Sequence, residues 1–91
     1  MEPRFEAARV RIRQLLCDGN AAGRPDIAVT MAMAVMQDEV ASGRMTENWT
    51  AAVVGDELTV TITGTGFNVK LRFFLPDLTP EWGVVHAVHV L

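Results

Sequence analysis

The two histidines, His86 and His89, are the residues whose type and spacing could hold a metal ion or transfer a proton. On a helix, residues three apart lie side by side, whereas on a strand they point to opposite faces and cannot bind one ion together. The nearest acidic residue in sequence is Glu81 and the one cysteine is Cys17, so neither completes a local site. The sequence favours structural histidines and leaves a histidine-based metal or small-ligand site as an alternative.

The candidate nucleophiles occupy positions that oppose their activation. Cys17 and Ser42 fall near the C-terminal ends of predicted helices, where the helix dipole disfavours a thiolate or an alkoxide. We expect Cys17 to be a small buried or half-buried apolar group. Asp38 and Glu39 are adjacent on a helix and do not converge on one bond, so we expect both to face solvent. The sequence predicts no catalytic, cofactor-binding or metal-ligating residue, and a protein that is not an enzyme.

One central helix, predicted over residues 25–42, organises the chain. Between residues 27 and 36 its only polar residue is Thr30, and a helix that is apolar nearly all round is a buried one. One apolar stripe is available to the chain's own core. A second stripe, here called the methionine stripe, has the spacing of a coiled-coil seam and consists of Val29, Met33, Met36 and Val40. The methionine stripe is predicted to serve either internal packing or self-association.

A first helix, predicted over residues 2–17, carries an apolar arc and a row of arginines. The arc, which we expect to face the core, consists of Phe5, Ala8, Ile12, Leu15 and Leu16. The candidate nucleic-acid residues are Arg4, Arg9, Arg11 and Arg13. We expect a solvated basic face, because phosphate binding needs a concentrated basic surface and the chain has a net charge of −3. Gly19 is predicted to end this helix in the left-handed conformation.

After residue 43 the hydrophobic period changes to two, which indicates strands. With residues 55–56 as a two-residue turn, the apolar pairs are Val53–Leu58, Ala51–Val60 and Trp49–Ile62. With residues 65–66 as the next turn, they are Ile62–Val69, Val60–Leu71 and Leu58–Phe73. A slip by one residue would set apolar residues against threonines throughout, so pattern and turns predict the same register.

The other face of this meander is predicted to be polar. It contains Thr59, Thr61, Thr63, Asn68, Lys70, Arg72 and Phe74. Such a face is ordinarily solvated, and the alternative is a partner-binding face that uses Lys70, Arg72 and Phe74. Lys70 and Arg72 also belong to the nucleic-acid alternative.

Residues 82–91 are rich in valine and predict a fourth strand, although the Thr-Pro-Glu sequence at 79–81 is typical of a helix start. In this segment the residues at even positions and the residues at odd positions are both largely apolar. A strand of that kind is central in a sheet or covered on both faces, and pairing across a dimer is one explanation.

Composition limits the class of protein. The 91 residues form one domain, and 49% hydrophobic against 21% charged residues argues against disorder. No apolar run approaches the roughly 18 residues of a membrane span, and the first residues lack a secretory pattern, so we expect a cytoplasmic protein. The single cysteine allows no internal disulfide.

The sequence thus predicts a single α+β domain over residues 1–91, with two N-terminal helices and a three- to four-stranded antiparallel β-meander on which the central helix packs. The predicted function is a small non-catalytic protein-binding module, a homodimer, that occupies a partner's surface as an inhibitor, an antitoxin-like protein or an adaptor does. We expect no cofactor and no membrane partner. A phage or mobile-element origin is a guess from this class. A nucleic-acid-contacting regulator and a histidine-based metal or small-ligand site are the alternatives.

Overall fold

The computed structural model describes residues 2–78, in which two helices precede a three-stranded antiparallel sheet. Helix α1 spans Pro3–Asp18 and helix α2 spans Pro25–Ala41. The strands are β1 (Asn48–Val54), β2 (Glu57–Gly64) and β3 (Phe67–Phe74), and a short 3₁₀ turn, Leu75–Asp77, follows them. The predicted α+β fold is confirmed. The predicted fourth strand and both histidines fall in residues 79–91, outside the described residues.

The strands pair in the register that the sequence predicts. In the first hairpin the inner-face pairs are Trp49–Ile62, Ala51–Val60 and Val53–Leu58. In the second they are Ile62–Val69, Val60–Leu71 and Leu58–Phe73. Gly55 has a φ of +63° at the first turn position and Asp56 has no positive φ, as in a type II′ turn. Because this turn matches the twist of the strands, it supports the register that the apolar alternation selects.

Both helices pack on the same face of the sheet. The ring of Phe5 in α1 lies 5.6 Å from the ring of Phe67 in β3, centroid to centroid, while α2 packs against β1 and β2. Helix α1 therefore lies toward the β3 side of the sheet and α2 toward the β1 side. The largest fully buried apolar side chains are Phe5, Phe73, Ile12, Leu16, Met36, Met45, Leu58, Ile62, Leu71, Leu78 and Val60.

The buried arc of α1 differs from the predicted one at its two borders. Leu15 was expected in the core but is 37% exposed, whereas Arg13, expected on the solvated face, is only 7% exposed. Cys17 is buried, as predicted. Arg13 and Cys17 lie four residues apart on one side of the helix, and Leu15 lies on the other side of the arc. The core therefore covers α1 further toward Arg13 than its apolar residues alone indicate.

Helix α1 ends in a Schellman motif, but its left-handed residue is not the predicted one. Asn20 has a φ of +52°, and Gly19 has a φ of −85°. The N–H of Ala21 donates to the carbonyl of Leu16 at 3.0 Å, which closes the motif. The prediction for Gly19 is wrong because this glycine serves a close approach instead. A Cβ placed at Gly19 would lie 2.1 Å from Cε of Met31, so its lack of a side chain lets α2 pack against this end of α1.

Candidate interaction surface

The methionine stripe is divided by the packing of α2. Met36 is fully buried in the core, and Val29 is half-buried against it. Met33 and Val40 remain 39% and 43% exposed. Positions 33 and 40 are seven residues apart, so both side chains lie on the same side of the helix. Two of the four residues of the methionine stripe are thus available to a partner, and Met36 is not.

The exposed part of the stripe lies on the side of α2 that faces away from α1. Helix α2 meets α1 through Met31 at Gly19 and through Glu39, whose carboxylate receives a hydrogen bond from Arg11. Residues 33 and 40 are more than a quarter turn away from these contacts on the helix. Since α1 lies toward β3 and α2 toward β1, the exposed stripe is on the side of the open β1 edge.

Strand β1 carries further partly exposed apolar residues. Its inward-facing residues, Trp49, Ala51 and Val53, are only half-buried although they pack against the core. In the described residues the strand order is β1-β2-β3, so no strand pairs with the far side of β1. The strand contains no charged residue and no proline. We refer to Met33 and Val40 together with β1 as the α2–β1 surface.

The hydrogen bonding of a two-residue hairpin determines which β1 backbone groups face the open edge. The residues that flank such a turn, here Val54 and Glu57, exchange backbone hydrogen bonds. Along an antiparallel pair, hydrogen-bonded residue pairs then recur at every second position. The N–H and C=O groups of Trp49, Ala51 and Val53 consequently point away from β2. The α2–β1 surface combines exposed apolar side chains with three outward-facing backbone groups of each kind.

Glu39 is the residue that most clearly departs from its predicted place. It was expected to face solvent but is 1% exposed. Nε of Arg44 donates to one carboxylate oxygen at 2.7 Å, and Arg11 donates to the other. Burial by itself raises the pKa of Glu39, but the hydrogen bonds and the positive charges of Arg44 and Arg11 together outweigh burial and hold the pKa below its ordinary value. Glu39 lies four residues after buried Val35 and therefore on the same side of α2, and this spacing was the signal in the sequence for its burial.

The arginines that suggested nucleic-acid binding make contacts within the chain. Nη1 of Arg4 lies 2.6 Å from Oε1 of Glu47, and its guanidinium lies over the ring of Phe5. Arg9 pairs with Glu6. Arg11 pairs with Asp38 at 2.8 Å and with Glu39. Arg13 is buried, and burial lowers its pKa. Arg4 and Arg11 lie on one side of α1 and Arg9 and Arg13 on another, so the four side chains do not form one exposed basic patch.

The outer face of the sheet places its three partner candidates on β3. Lys70 and Arg72 are exposed, and Nε of Arg72 lies 3.7 Å from Oε1 of Glu57 on β2. Phe74 is 51% exposed, and Val54, in the same cross-strand row, is 81% exposed. This row forms a small apolar area at the turn end of the sheet, interrupted by Glu57.

Neither candidate nucleophile is placed for chemistry. Cys17 is 3% exposed, and burial raises the pKa of its thiol, so the thiolate is disfavoured at neutral pH. The hydroxyl of Ser42 donates to the carbonyl oxygen of Glu39 at 3.0 Å, as a helix-end contact. In residues 2–78 no three His, Cys, Asp or Glu side chains are grouped closely enough to hold a metal ion. No helix in the same range is both long and apolar enough to cross a membrane.

An open cavity of about 550 Å³ lies at the end of the sheet opposite the first turn. Its lining residues are Thr46, Glu47, Asn48, Thr63, Gly64, Thr65 and Phe67. The ring of Phe67 lies across Gly64, where an added Cβ would be 2.2 Å from Cζ. Glu47 is engaged by Arg4, so the one acidic group of the cavity is already neutralised by a cation.

Comparisons with protein-family models, with curated proteins and with solved structures each found no match to this chain.

Proposed function

We propose that this protein is a non-catalytic protein-binding module that acts as a homodimer through the α2–β1 surface. The observation that carries the proposal is the position of exposed Met33 and Val40 beside an uncharged edge strand. Single exposed apolar side chains are common on protein surfaces and need no explanation. Apolar side chains grouped near the unpaired backbone groups of an edge strand are typical of an interaction site.

The chemistry of the described residues supports binding rather than catalysis. The thiol of Cys17 is buried, and the carboxylate of Glu39 is occupied by two guanidinium groups. A group that is enclosed and fully hydrogen-bonded has no free position for a substrate. The module acts by occupying the surface of a partner, as an inhibitor, an antitoxin-like protein or an adaptor does.

The nucleic-acid alternative has less support. A basic surface binds phosphates when its cations are clustered and free to replace counterions. Arg4 and Arg11 instead form ion pairs with Glu47 and Asp38, at 2.6 and 2.8 Å. Lys70 and Arg72 alone provide two exposed cations on the sheet, which is a small electrostatic footprint.

The test is the solution mass by light scattering, compared for the wild type and for the double variant Met33→Asp with Val40→Asp. Both positions are exposed on α2, so we expect the variant to keep its fold and the wild-type dimer to become a folded monomer. The matched control is Ala34→Asp with Ala41→Asp, at exposed positions of α2 outside the methionine stripe. This control is expected to remain a dimer.

Circular dichroism of each variant checks that the helices are retained. A wild type that is monomeric at every concentration tested contradicts the homodimer. So does a double variant that remains a dimer with the same dissociation constant as the wild type.

A further inference from the structure

The two edges of the sheet differ in what they can pair with. On β3 the residues at alternate positions from 68 to 74 direct their backbone groups outward, because Gly64 and Phe67 flank the second turn as a bonded pair. Two of these residues are Lys70 and Arg72. If two β3 strands paired antiparallel with the two-fold axis at Lys70, the two lysines would lie opposite each other. With the axis at Arg72, the two arginines would. Like charges directly opposite each other destabilise a strand pair, so this edge is protected against self-association.

Strand β1 carries no such protection. Its seven residues, NWTAAVV, include no charge, no proline and no glycine. Natural edge strands usually avoid unwanted pairing by means of a charge, a proline or a bulge. An edge that lacks these devices, while the opposite edge of the same sheet has two cations, is the edge on which a further strand fits.

The sequence of β1 is complementary to itself. In an antiparallel pair centred on Ala51, Trp49 of one copy lies opposite Val53 of the other, and Thr50 lies opposite Ala52. The apolar inward-facing residues thus meet apolar residues, and no two charges meet. Ala51 directs its N–H and C=O toward the open edge, so the two central alanines form a hydrogen-bonded pair.

The position of α2 fits the same arrangement. Helix α2 packs against β1 and β2, and neighbouring strands are about 4.8 Å apart. Two sheets joined at β1 would therefore bring the two α2 axes to roughly 10 Å, which is the spacing of packed helices. The side of each α2 that faces the other copy carries Met33 and Val40.

We infer that two copies of this chain join β1 to β1 across a two-fold axis at Ala51. They form a continuous six-stranded antiparallel sheet in which Met33 and Val40 of the two α2 helices cover the joint. This inference rests on the proposed homodimer and specifies how the two chains meet. It also leaves the outer faces of both sheets, with Lys70, Arg72 and Phe74, as one continuous surface.

The test is the full-length variant Ala51→Pro, with Ala51→Ser as its matched control. Proline at position 51 removes an N–H that points away from β2, so the β1–β2 pairing is kept, as at natural edge strands. The serine variant keeps this backbone N–H and has a side chain of similar size. We expect the dimer dissociation constant to rise about tenfold or more for Ala51→Pro and to change little for Ala51→Ser.

Amide hydrogen exchange of the wild type is the second measurement and does not depend on whether the proline variant folds. We expect slow exchange of the Trp49, Ala51 and Val53 amides in the dimer, and faster exchange when dilution produces monomer. A dimer in which these three amides exchange freely overturns the strand pairing and leaves the homodimer intact. A wild-type monomer overturns both, and a monomer with protected amides shows that the chain covers this edge itself.

Discussion

Glu39 shows how one buried charge connects three parts of the molecule. Its carboxylate lies near the C-terminal end of α2, where the helix dipole is negative and where burial removes water. Arg11 reaches it from α1, and Arg44 reaches it from the segment that leads to β1. The carbonyl of Glu39 also accepts the N–H groups of Arg44 and Met45, at 3.0 and 3.1 Å. We therefore expect this residue to stabilise the packing of α1, α2 and the loop together.

Substitution Glu39→Gln is expected to lower the free energy of unfolding by about 2 kcal/mol at pH 7. It removes the buried carboxylate that Arg11 and Arg44 share, and the loss is smaller than for a fully buried pair because both guanidinium groups are partly exposed and keep contact with Asp38. The folded pKa of Glu39 lies below its ordinary value of 4.5. Its contribution is thus complete above about pH 4.5 and is lost as the pH falls through the folded pKa. Urea unfolding at several pH values measures both effects.

The control for this prediction is Asp38→Asn. Asp38 contacts the same two arginines, but its side chain is 55% exposed, so we expect a change of no more than about 0.5 kcal/mol. If the difference between wild type and Glu39→Gln stayed constant down to pH 3, the buried ion pair would not be the cause.

At the scale of the element, the ends of the helices determine where the chain turns. The turn that terminates α2 contains Gly43, which has a φ of +80° and whose N–H donates to the carbonyl of Val40. Helix α1 uses Asn20 at the equivalent position. Asparagine tolerates the left-handed conformation because its short polar side chain bonds locally, but glycine adopts it without steric cost. The two helix ends therefore have the same geometry with different side chains.

Replacing Asn20 by alanine is expected to destabilise the protein by about 1 kcal/mol, because alanine is strained at a positive φ. Replacement by glycine should leave the stability within about 0.5 kcal/mol of the wild type. Thermal unfolding of the two variants under the same conditions measures the difference. Equal stability of the alanine and glycine variants would mean that residue 20 does not require the left-handed conformation.

At the scale of the whole molecule, the described chain is a two-layer structure with both helices on one face of the sheet. Two kinds of surface are left uncovered in residues 2–78. One is the outer sheet face, and the other is the β1 edge with the exposed part of α2. Cys17 lies inside the layer that α1 shares with the core, at 3% exposure. Its accessibility to reagents therefore reports on the opening of this layer.

The thiol of Cys17 is expected to react roughly a hundredfold more slowly with a disulfide reagent in the native protein than in the urea-unfolded chain. Burial both blocks access and raises the thiol pKa, so few molecules carry the reactive thiolate. The rate of absorbance change with a chromogenic disulfide measures this. Native and unfolded rates that agree within a factor of about two would contradict the burial of Cys17.

Local pattern was sufficient for the secondary structure and the strand pairing. The helices follow the spans of apolar periodicity, and the register of the meander follows from alternation and two short turns. It was not sufficient at the borders of the buried faces. Arg13 is buried and Leu15 is partly exposed at the two borders of the α1 arc. Glu39 is buried where Arg11 and Arg44 reach it near the end of α2. The packing of other elements, and not the residue's own polarity, determines burial there.

The sequence by itself determined the α+β order, the strand register and the absence of charge from β1, since each depends on residues close together in the chain. Only the tertiary structure decided how the methionine stripe divides, with Met36 in the core and Met33 and Val40 outside. The physical reason is that a helix apolar nearly all round is compatible with several rotations about its axis. The contact of Met31 with Gly19 and the pairing of Glu39 with Arg11 select one of them. That rotation places the remaining apolar residues on the side of the open edge of β1.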